Sequence, residues 1–247
     1  MVTQSRSHSV PLLLTRPTAQ GADFAERLSV RFGDQVAIIK TPLLAPRFFA
    51  PALPVGPFSA LILTSQTGVE GYLRLGERND LPKEVFCVGE RTANAARGAG
   101  LIALCVAGDA ASLIAQITAL RPKGRLLHLR GREARGNICE LLESAGIDTV
   151  DAVIYAQERL ALTDAAATLL RGPAPVIVPL FSPRTAMIFF AEMARVRGIS
   201  PLFVAAMSGE VALEARLLDA QVKIAQSPDA AAMVDVVAVF LTDLQRA

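Results

Sequence analysis

Several short apolar runs in this chain end in a small polar pair just where a helical pattern begins: Thr64-Ser65, Gly89-Glu90, Ser182-Pro183 and Ser208-Gly209. The first turn of a helix carries free backbone N–H groups and the positive end of the dipole, so such junctions attract carboxylates and phosphates. Serine and threonine also cap helices with no ligand present, and at any single position that reading stands beside the other. The same junctions carry arginines: Arg16, Arg91, Arg130, Arg132, Arg135 and Arg184. Guanidinium groups grip carboxylates through a bidentate fork. In Arg130-Gly131-Arg132 the glycine also permits close backbone approach. Some of these arginines are expected to be plain solvated surface. Taken as a set, the junctions describe a place to hold a polyanion.

A conspicuous nucleophile or base is missing. Tyr155 ends a strand-like run and is one of only two tyrosines. A phenol, with an ordinary pKa of about 10, can serve as a general acid in a cleft, or can simply pack in a core or interface. His128 lies inside a strand-like run and reads as a packed histidine. Cys87, Cys105 and Cys139 are too few and too scattered for a disulfide framework, and Cys87 and Cys105, in apolar strand-like runs, read as buried free thiols. With His8 and His128 the only histidines, no histidine-based metal centre is expected. Gly98-Ala99-Gly100 followed by Ala103 has the spacing of a dinucleotide fingerprint. It falls between a helix and a following strand, the reverse of the required order, and is rejected. Phosphate-binding and hydrolase motifs are absent.

The elements that must position these residues alternate as in βαβ units. Residues 10–15 read as a strand, followed by a helix with Phe24, Leu28 and Phe32 on one face and Gly33 at its end. Residues 35–39 form the next strand. Then comes a segment with Pro42, Pro46, Pro51, Pro54 and Pro57, which reads as an extended linker because proline can neither donate to a sheet nor continue a helix. Strands are expected at 60–64, 85–88, 102–106, 125–129 and 149–154. A second loose segment, 156–175, precedes strands at 176–181, 202–207 and 222–225. The organisation predicted is a discontinuous domain, residues 1–40 with 173–247, and a continuous one, residues 59–155. Residues 41–58 and 156–172 are the expected linkers. Both domains are expected to be doubly wound parallel α/β sheets. An internal repeat supports the division. Gly89-Glu90 recurs as Gly209-Glu210, and at the same spacing Asp109-Ala110-Ala111 recurs as Asp229-Ala230-Ala231. Leu14-Thr15-Arg16 resembles His128-Leu129-Arg130, although the first pair opens one domain and the second comes fourth in the other.

Composition agrees with this picture. Hydrophobic residues make up 52% and aromatics only 5%, so the cores should be built from Ala, Leu, Val and Ile. A net charge of +2 gives no reason to expect a nucleic-acid partner. Apolar stretches are too short to span a bilayer, and the polar start lacks the apolar heart of a signal peptide, so a cytoplasmic location is expected.

These segments, in this order, resemble the uroporphyrinogen-III synthase family over almost the whole chain. The likeness is carried by Leu12-Leu13-Leu14-Thr15-Arg16-Pro17, Leu61-Ile62-Leu63-Thr64-Ser65, Val88-Gly89-Glu90-Arg91-Thr92-Ala93 and Leu129-Arg130-Gly131. It continues in Val153-Ile154-Tyr155, Phe181-Ser182-Pro183-Arg184 and Ala205-Ala206-Met207-Ser208. The resemblance implies two flavodoxin-like domains with the active site in a cleft between them, hydroxymethylbilane as substrate, and no cofactor; a monomer is the default expectation for a cleft enzyme with flexible linkers. It places Arg16, Thr64, Ser65, Arg130, Ser182 and Ser208 in the cleft wall; the strand-end reading adds Gly89, Gly131, Arg132 and Arg184 as expected substrate contacts. Tyr155 matches the family's tyrosine, a candidate acid for the departing hydroxyl. The competing expectation is a non-catalytic two-domain protein that binds a small polyanion.

Overall fold

The computed structural model describes residues 9–76, 80–133, 136–215 and 220–246. Along the chain, β1 (Val10–Leu14), α1 (Thr18–Phe32), β2 (Val36–Lys40) and β3 (Leu44–Phe48) come first. There follow β4 (Phe58–Leu63), α2 (Gln66–Arg74), β5 (Glu84–Val88), α3 (Glu90–Gly98), β6 (Ile102–Val106), α4 (Ala110–Leu120), β7 (Arg125–Gly131), α5 (Ile138–Ser144) and the long β8 (Thr149–Arg159). The last part holds α6 (Asp164–Arg171), β9 (Val176–Leu180), α7 (Pro183–Arg195), β10 (Leu202–Ala206), α8 (Gly209–Ala215), β11 (Ala220–Ile224) and α9 (Ala230–Arg246). The chain divides into two compact units, Met1–Ala45 with Arg159–Ala247, and Pro46–Glu158.

In the first unit five parallel strands lie in the order β11-β10-β9-β1-β2. Every residue of β9 and β10 is buried. That is why these strands read as unbroken apolar runs rather than as alternation: helices cover both faces of the sheet. One face packs Leu170 of α6, Phe189 of α7 and Val211 of α8; the other packs Phe24 and Leu28 of α1 and Val237 and Phe240 of α9. Gly33 ends α1 with φ +51°, its N–H donating to the Ser29 carbonyl. A residue with a Cβ adopts that backbone only at a cost.

In the second unit the order is β3-β8-β7-β4-β5-β6, with β8 through β6 parallel. Removing the edge strand β3 exposes a correspondence. β9, β10, β11, β1 and β2 hold the places in the first sheet that β4, β5, β6, β7 and β8 hold in the second. The units share one topology, permuted along the chain. The sequence repeat is thereby explained: Gly89 and Gly209 each start the helix after the second strand of the series. Asp109 and Asp229 each accept an N–H at the start of the helix after the third, from Ser112 at 3.0 Å and from Ala232 at 2.9 Å. The β1 and β7 motifs fall out of order in the chain because the permutation cuts there.

Both expected linkers contain regular structure. Residues 41–58 include β3, whose Pro46 is tolerated because an edge strand can leave one N–H position unused. Residues 156–172 include the end of β8 and all of α6, whose Thr163 accepts the Ala166 N–H at 3.3 Å. At eight residues, closed by Gly172-Pro173, α6 is too short for its apolar face to stand out from the loop signals beside it.

Candidate active site

In open α/β sheets ligands bind beyond the carboxyl ends of the strands, at the point where the winding reverses. In the Pro46–Glu158 unit that point lies between β4 and β7. β4 ends in Thr64-Ser65, both half-buried. Ser65 has extended backbone and caps α2, its Oγ accepting the Gly68 N–H at 3.0 Å. The same Oγ lies 3.0 Å from the hydroxyl of Tyr155, with either able to donate. Tyr155 belongs to β8 and faces Gly131 at the end of β7, where the register between the two strands slips by one residue. A Cβ at Gly131 would fall 2.6 Å from the tyrosine Cζ. The close approach expected at this glycine is therefore made by the phenol ring, not left open for a ligand. The Tyr155 carbonyl accepts the Arg132 N–H at 2.8 Å, and the Phe48 ring lies 6.4 Å away by centroids. Chemically this is a pair of hydroxyls at a helix start, suited to donate hydrogen bonds or a proton to an anionic or oxygen-bearing group.

The other expected residues of this unit are arranged differently. Gly89 has φ +75° and open space where a Cβ would be, so its backbone conformation, not crowding, accounts for the glycine. Arg130 is ion-paired with Asp151 and donates to the Gly131 carbonyl at 3.2 Å. Strand alternation turns it to the sheet face occupied by His128, away from Tyr155. There a small cavity is lined by His128, Arg130, Cys139 and Asp151 among others. Arg132 is exposed, with its guanidinium 5.1 Å from the Phe49 ring. Arg91 is exposed in the first turn of α3. Arg135 and His8 lie outside the described residues. His128 is 2% exposed, and burial above all, then the Arg130 charge, depresses it to about 4. Burial raises the Cys139 thiol to about 11. With Cys139 Sγ 3.9 Å from His128 Nδ1, the two form a neutral pair rather than a thiolate–imidazolium nucleophile.

In the first unit the reversal lies between β1 and β9. Ser182 caps α7, its Oγ accepting the Thr185 N–H at 3.2 Å and lying 2.9 Å from the Thr185 hydroxyl; Pro183 opens the helix. Arg184 is half-buried in the same first turn. The guanidinium of Arg16 stacks 4.0 Å from the centroid of Phe181, which in turn meets Phe24 edge-on at 4.9 Å. Ser208, after β10, accepts the Val211 N–H at 3.4 Å. Adjacency of β1, β9 and β10 brings Arg16, Ser182, Arg184 and Ser208 to one sheet edge. Thr15, fully buried beside Arg16, has a hydroxyl with no partner among the described residues. Sequence reasoning missed the supporting rings of Phe48 and Phe181 and the Asp151 partner of Arg130. Only a register for β7 against β8 could have revealed the last. Among the described residues no cluster of His, Cys, Asp or Glu is arranged to hold a metal, and no helix is long and apolar enough to cross a membrane.

A model of the family described as uroporphyrinogen-III synthase HemD matches residues 37–235. No curated protein matches the chain by sequence. Among solved structures, the uroporphyrinogen-III synthetase of Helicobacter pylori 26695 aligns with a TM-score of 0.63 at 18% identity, over 94% of this chain and 99% of that one. A mutant uroporphyrinogen III synthase from the extremely thermophilic bacterium Thermus thermophilus aligns at 0.48 and 15% identity, over 97% and 100%. The first likeness shows a shared fold. The family match spans most of the chain and favours an enzyme over a non-catalytic polyanion binder: the chain belongs to the uroporphyrinogen-III synthase family, cyclising lyases of haem biosynthesis.

Proposed function

We propose that this enzyme closes hydroxymethylbilane into uroporphyrinogen III, releasing water and inverting the last pyrrole ring. The observation that carries the proposal is the Ser65–Tyr155 hydroxyl pair at the winding reversal of one unit, 3.0 Å apart at the start of α2, in a chain of this family. Hydroxymethylbilane is a flexible polycarboxylate. Holding it calls for several helix starts and arginines rather than one deep pocket, and the carboxyl edges of the two sheets are decorated in that way. Thr64, Ser65, Gly89, Arg130 and Arg132 on one edge, and Arg16, Ser182, Arg184 and Ser208 on the other, are assigned to the substrate's carboxylates.

Tyr155 is assigned the proton that leaves with the hydroxyl as water. Departure of that water generates a cationic azafulvene. The substituted carbon of the last ring attacks it, forming a spirocyclic intermediate. That intermediate fragments, and the freed ring recloses through its other α-carbon with loss of a proton, so the ring is turned over. Each step balances in atoms and electrons, with water the only molecule released and no oxidant or reductant required. Catalysis is then chiefly the folding of a floppy chain and the exclusion of its spontaneous, uninverted closure, effects on the order of several kcal/mol. We also take the enzyme to act in the cytoplasm as a monomer, without nucleic-acid or membrane partners.

The test is a coupled assay that supplies enzymatically generated hydroxymethylbilane and resolves the uroporphyrin isomers after oxidation. Isomer III should accumulate in proportion to enzyme. Isomer I alone at every protein concentration would overturn the proposal.

A further inference from the structure

An unbroken strand would send Ile154 and Tyr155 to opposite faces of the sheet. In β8 they share a face. Both pack on the side of the core that holds Leu63, Val69 and Leu129, beneath α2. The cause is the irregularity at the strand end: Arg130 pairs with Val153, but the next residue, Gly131, pairs with Tyr155, leaving Ile154 as an extra residue. Such a bulge re-aims the side chain that follows it. Without it, Tyr155 would face the side of Asp151 and His128.

Re-aiming alone does not place the hydroxyl; the ring also needs room to lie over β7. That room is at Gly131, where an added Cβ would meet Cζ at 2.6 Å, Cε2 at 2.7 Å and Oη at 2.9 Å. These distances are shorter than any real carbon contact, so a side chain there must push the ring away. The ring's far end is then held by Ser65 Oγ, itself pinned by the Gly68 N–H. Gly131 is buried, so it offers little surface to a carboxylate.

We propose that Gly131 is a positioning residue for Tyr155, with the β8 bulge aiming the phenol and Ser65 anchoring it. This rests on the reading of Tyr155 as the proton donor, and it reassigns Gly131 from substrate contact to floor of the acid. Gly131→Ala displaces the hydroxyl without touching its chemistry. The variant should lose turnover by about the same factor as Tyr155→Phe, on the order of a hundredfold, with KM changed by roughly twofold at most. The double variant should be no slower than Tyr155→Phe alone, because a misplaced hydroxyl and an absent one are the same loss.

A second readout is independent of activity. The chain has no tryptophan and only Tyr72 and Tyr155, so in a Tyr72→Phe background the near-ultraviolet tyrosine circular dichroism comes from Tyr155. Gly131→Ala should change that signal in the ligand-free protein. An unchanged signal overturns the proposal whatever the kinetics show, and so do losses for Gly131→Ala and Tyr155→Phe that multiply. If Gly131→Ala does not fold, Ser65→Ala takes its place by releasing the anchor from the other side. It should lower turnover, change the same signal and add nothing to Tyr155→Phe; a silent Ser65→Ala overturns the anchor. Should Tyr155→Phe keep full turnover while Gly131→Ala alters the tyrosine signal, the positioning stands and only the proton-donor reading fails.

Discussion

Glu192 offers the sharpest test of how the first unit is held together. It lies in α7 and is 4% exposed, yet its carboxylate accepts four hydrogen bonds. Arg195 donates Nε at 3.0 Å and Nη2 at 2.8 Å, Arg159 donates Nη2 at 3.2 Å, and the backbone N–H of Leu162 donates at 3.2 Å. The contacts tie α7 to the segment that follows β8. Glu192→Gln keeps the shape and one acceptor but removes the charge that strengthens three of the bonds. Both arginines are about half exposed and can return to water, so no charge is stranded and the cost should be about 2 kcal/mol. Glu192→Leu also leaves the Leu162 N–H without its acceptor, which adds about 1–3 kcal/mol. The Arg195 hydrogen bonds, with smaller help from Leu162 and Arg159, outweigh burial and hold the Glu192 carboxyl below its ordinary range. A depressed carboxylate contributes stability above its unfolded pKa of about 4.3 and loses it as pH falls through the folded value. Thermal unfolding of wild type and Glu192→Gln at several pH values measures this directly. The gap in midpoint should be widest near neutrality and close in acid. A gap that does not change with pH, or a Glu192→Leu protein as stable as wild type, would refute the reasoning.

Three further outcomes are expected. Tyr155→Phe should lower turnover about a hundredfold while costing no more than about 1.5 kcal/mol of stability, the worth of one half-buried hydrogen bond; the isomer assay and a urea titration separate the two. Arg130→Ala should raise KM in the same assay with a stability loss within about 1 kcal/mol, because its Asp151 partner is open enough to water to do without it; an unchanged KM would remove Arg130 from substrate binding. His128 is held near pH 4 against about 6.5 for a free imidazole. Its folded pKa is depressed, so the neutral form is favoured and stability should fall as pH drops from about 6.5 towards 4. His128→Gln should flatten that part of the stability profile, and calorimetry across the range would show it.

The double winding was legible because it rests on local pattern. β9 and β10 read as strands since burial on both faces removes polar residues from them, and Gly33 announced the end of α1. What could not be read were features set by partners distant in sequence. β3 and α6 are short and lie among prolines or against Gly172-Pro173, so their segments read as linkers; they form because a neighbouring strand and a core face are supplied from elsewhere in the chain. The candidate site divides the same way. Ser65 and Ser182 were visible as caps because capping is decided within four residues. Tyr155 was singled out by its scarcity and its place at a strand end. Its orientation was not readable, since regular alternation from Asp151 and Val153 would have sent it to the wrong face. Only the slip of β8 against β7 corrects that, and a register shift leaves no mark in either strand's own sequence.

The permuted repeat gives both units the same helix start at the winding reversal. Ser65 and Ser182 occupy equivalent places, each capping the helix after the strand at the winding reversal, so a helix start with a serine is common property of both units. What differs is the neighbour given to each serine. Ser65 meets a phenol carried by β8 and lying on a glycine; Ser182 meets the Thr185 hydroxyl of its own helix, with Arg16 stacked on Phe181 beside it. A duplicated anion-binding edge therefore accounts for holding a polycarboxylate but not for reacting with it. The reaction must draw on what only one copy possesses. Ser182→Ala should weaken substrate binding and leave turnover at saturation unchanged, whereas Ser65→Ala, which removes a carboxylate contact and the partner of the Tyr155 hydroxyl together, should lower turnover as well. If both substitutions act on KM alone, the two edges are chemically alike and the proton must come from elsewhere, the substrate's own carboxyl groups being the nearest source.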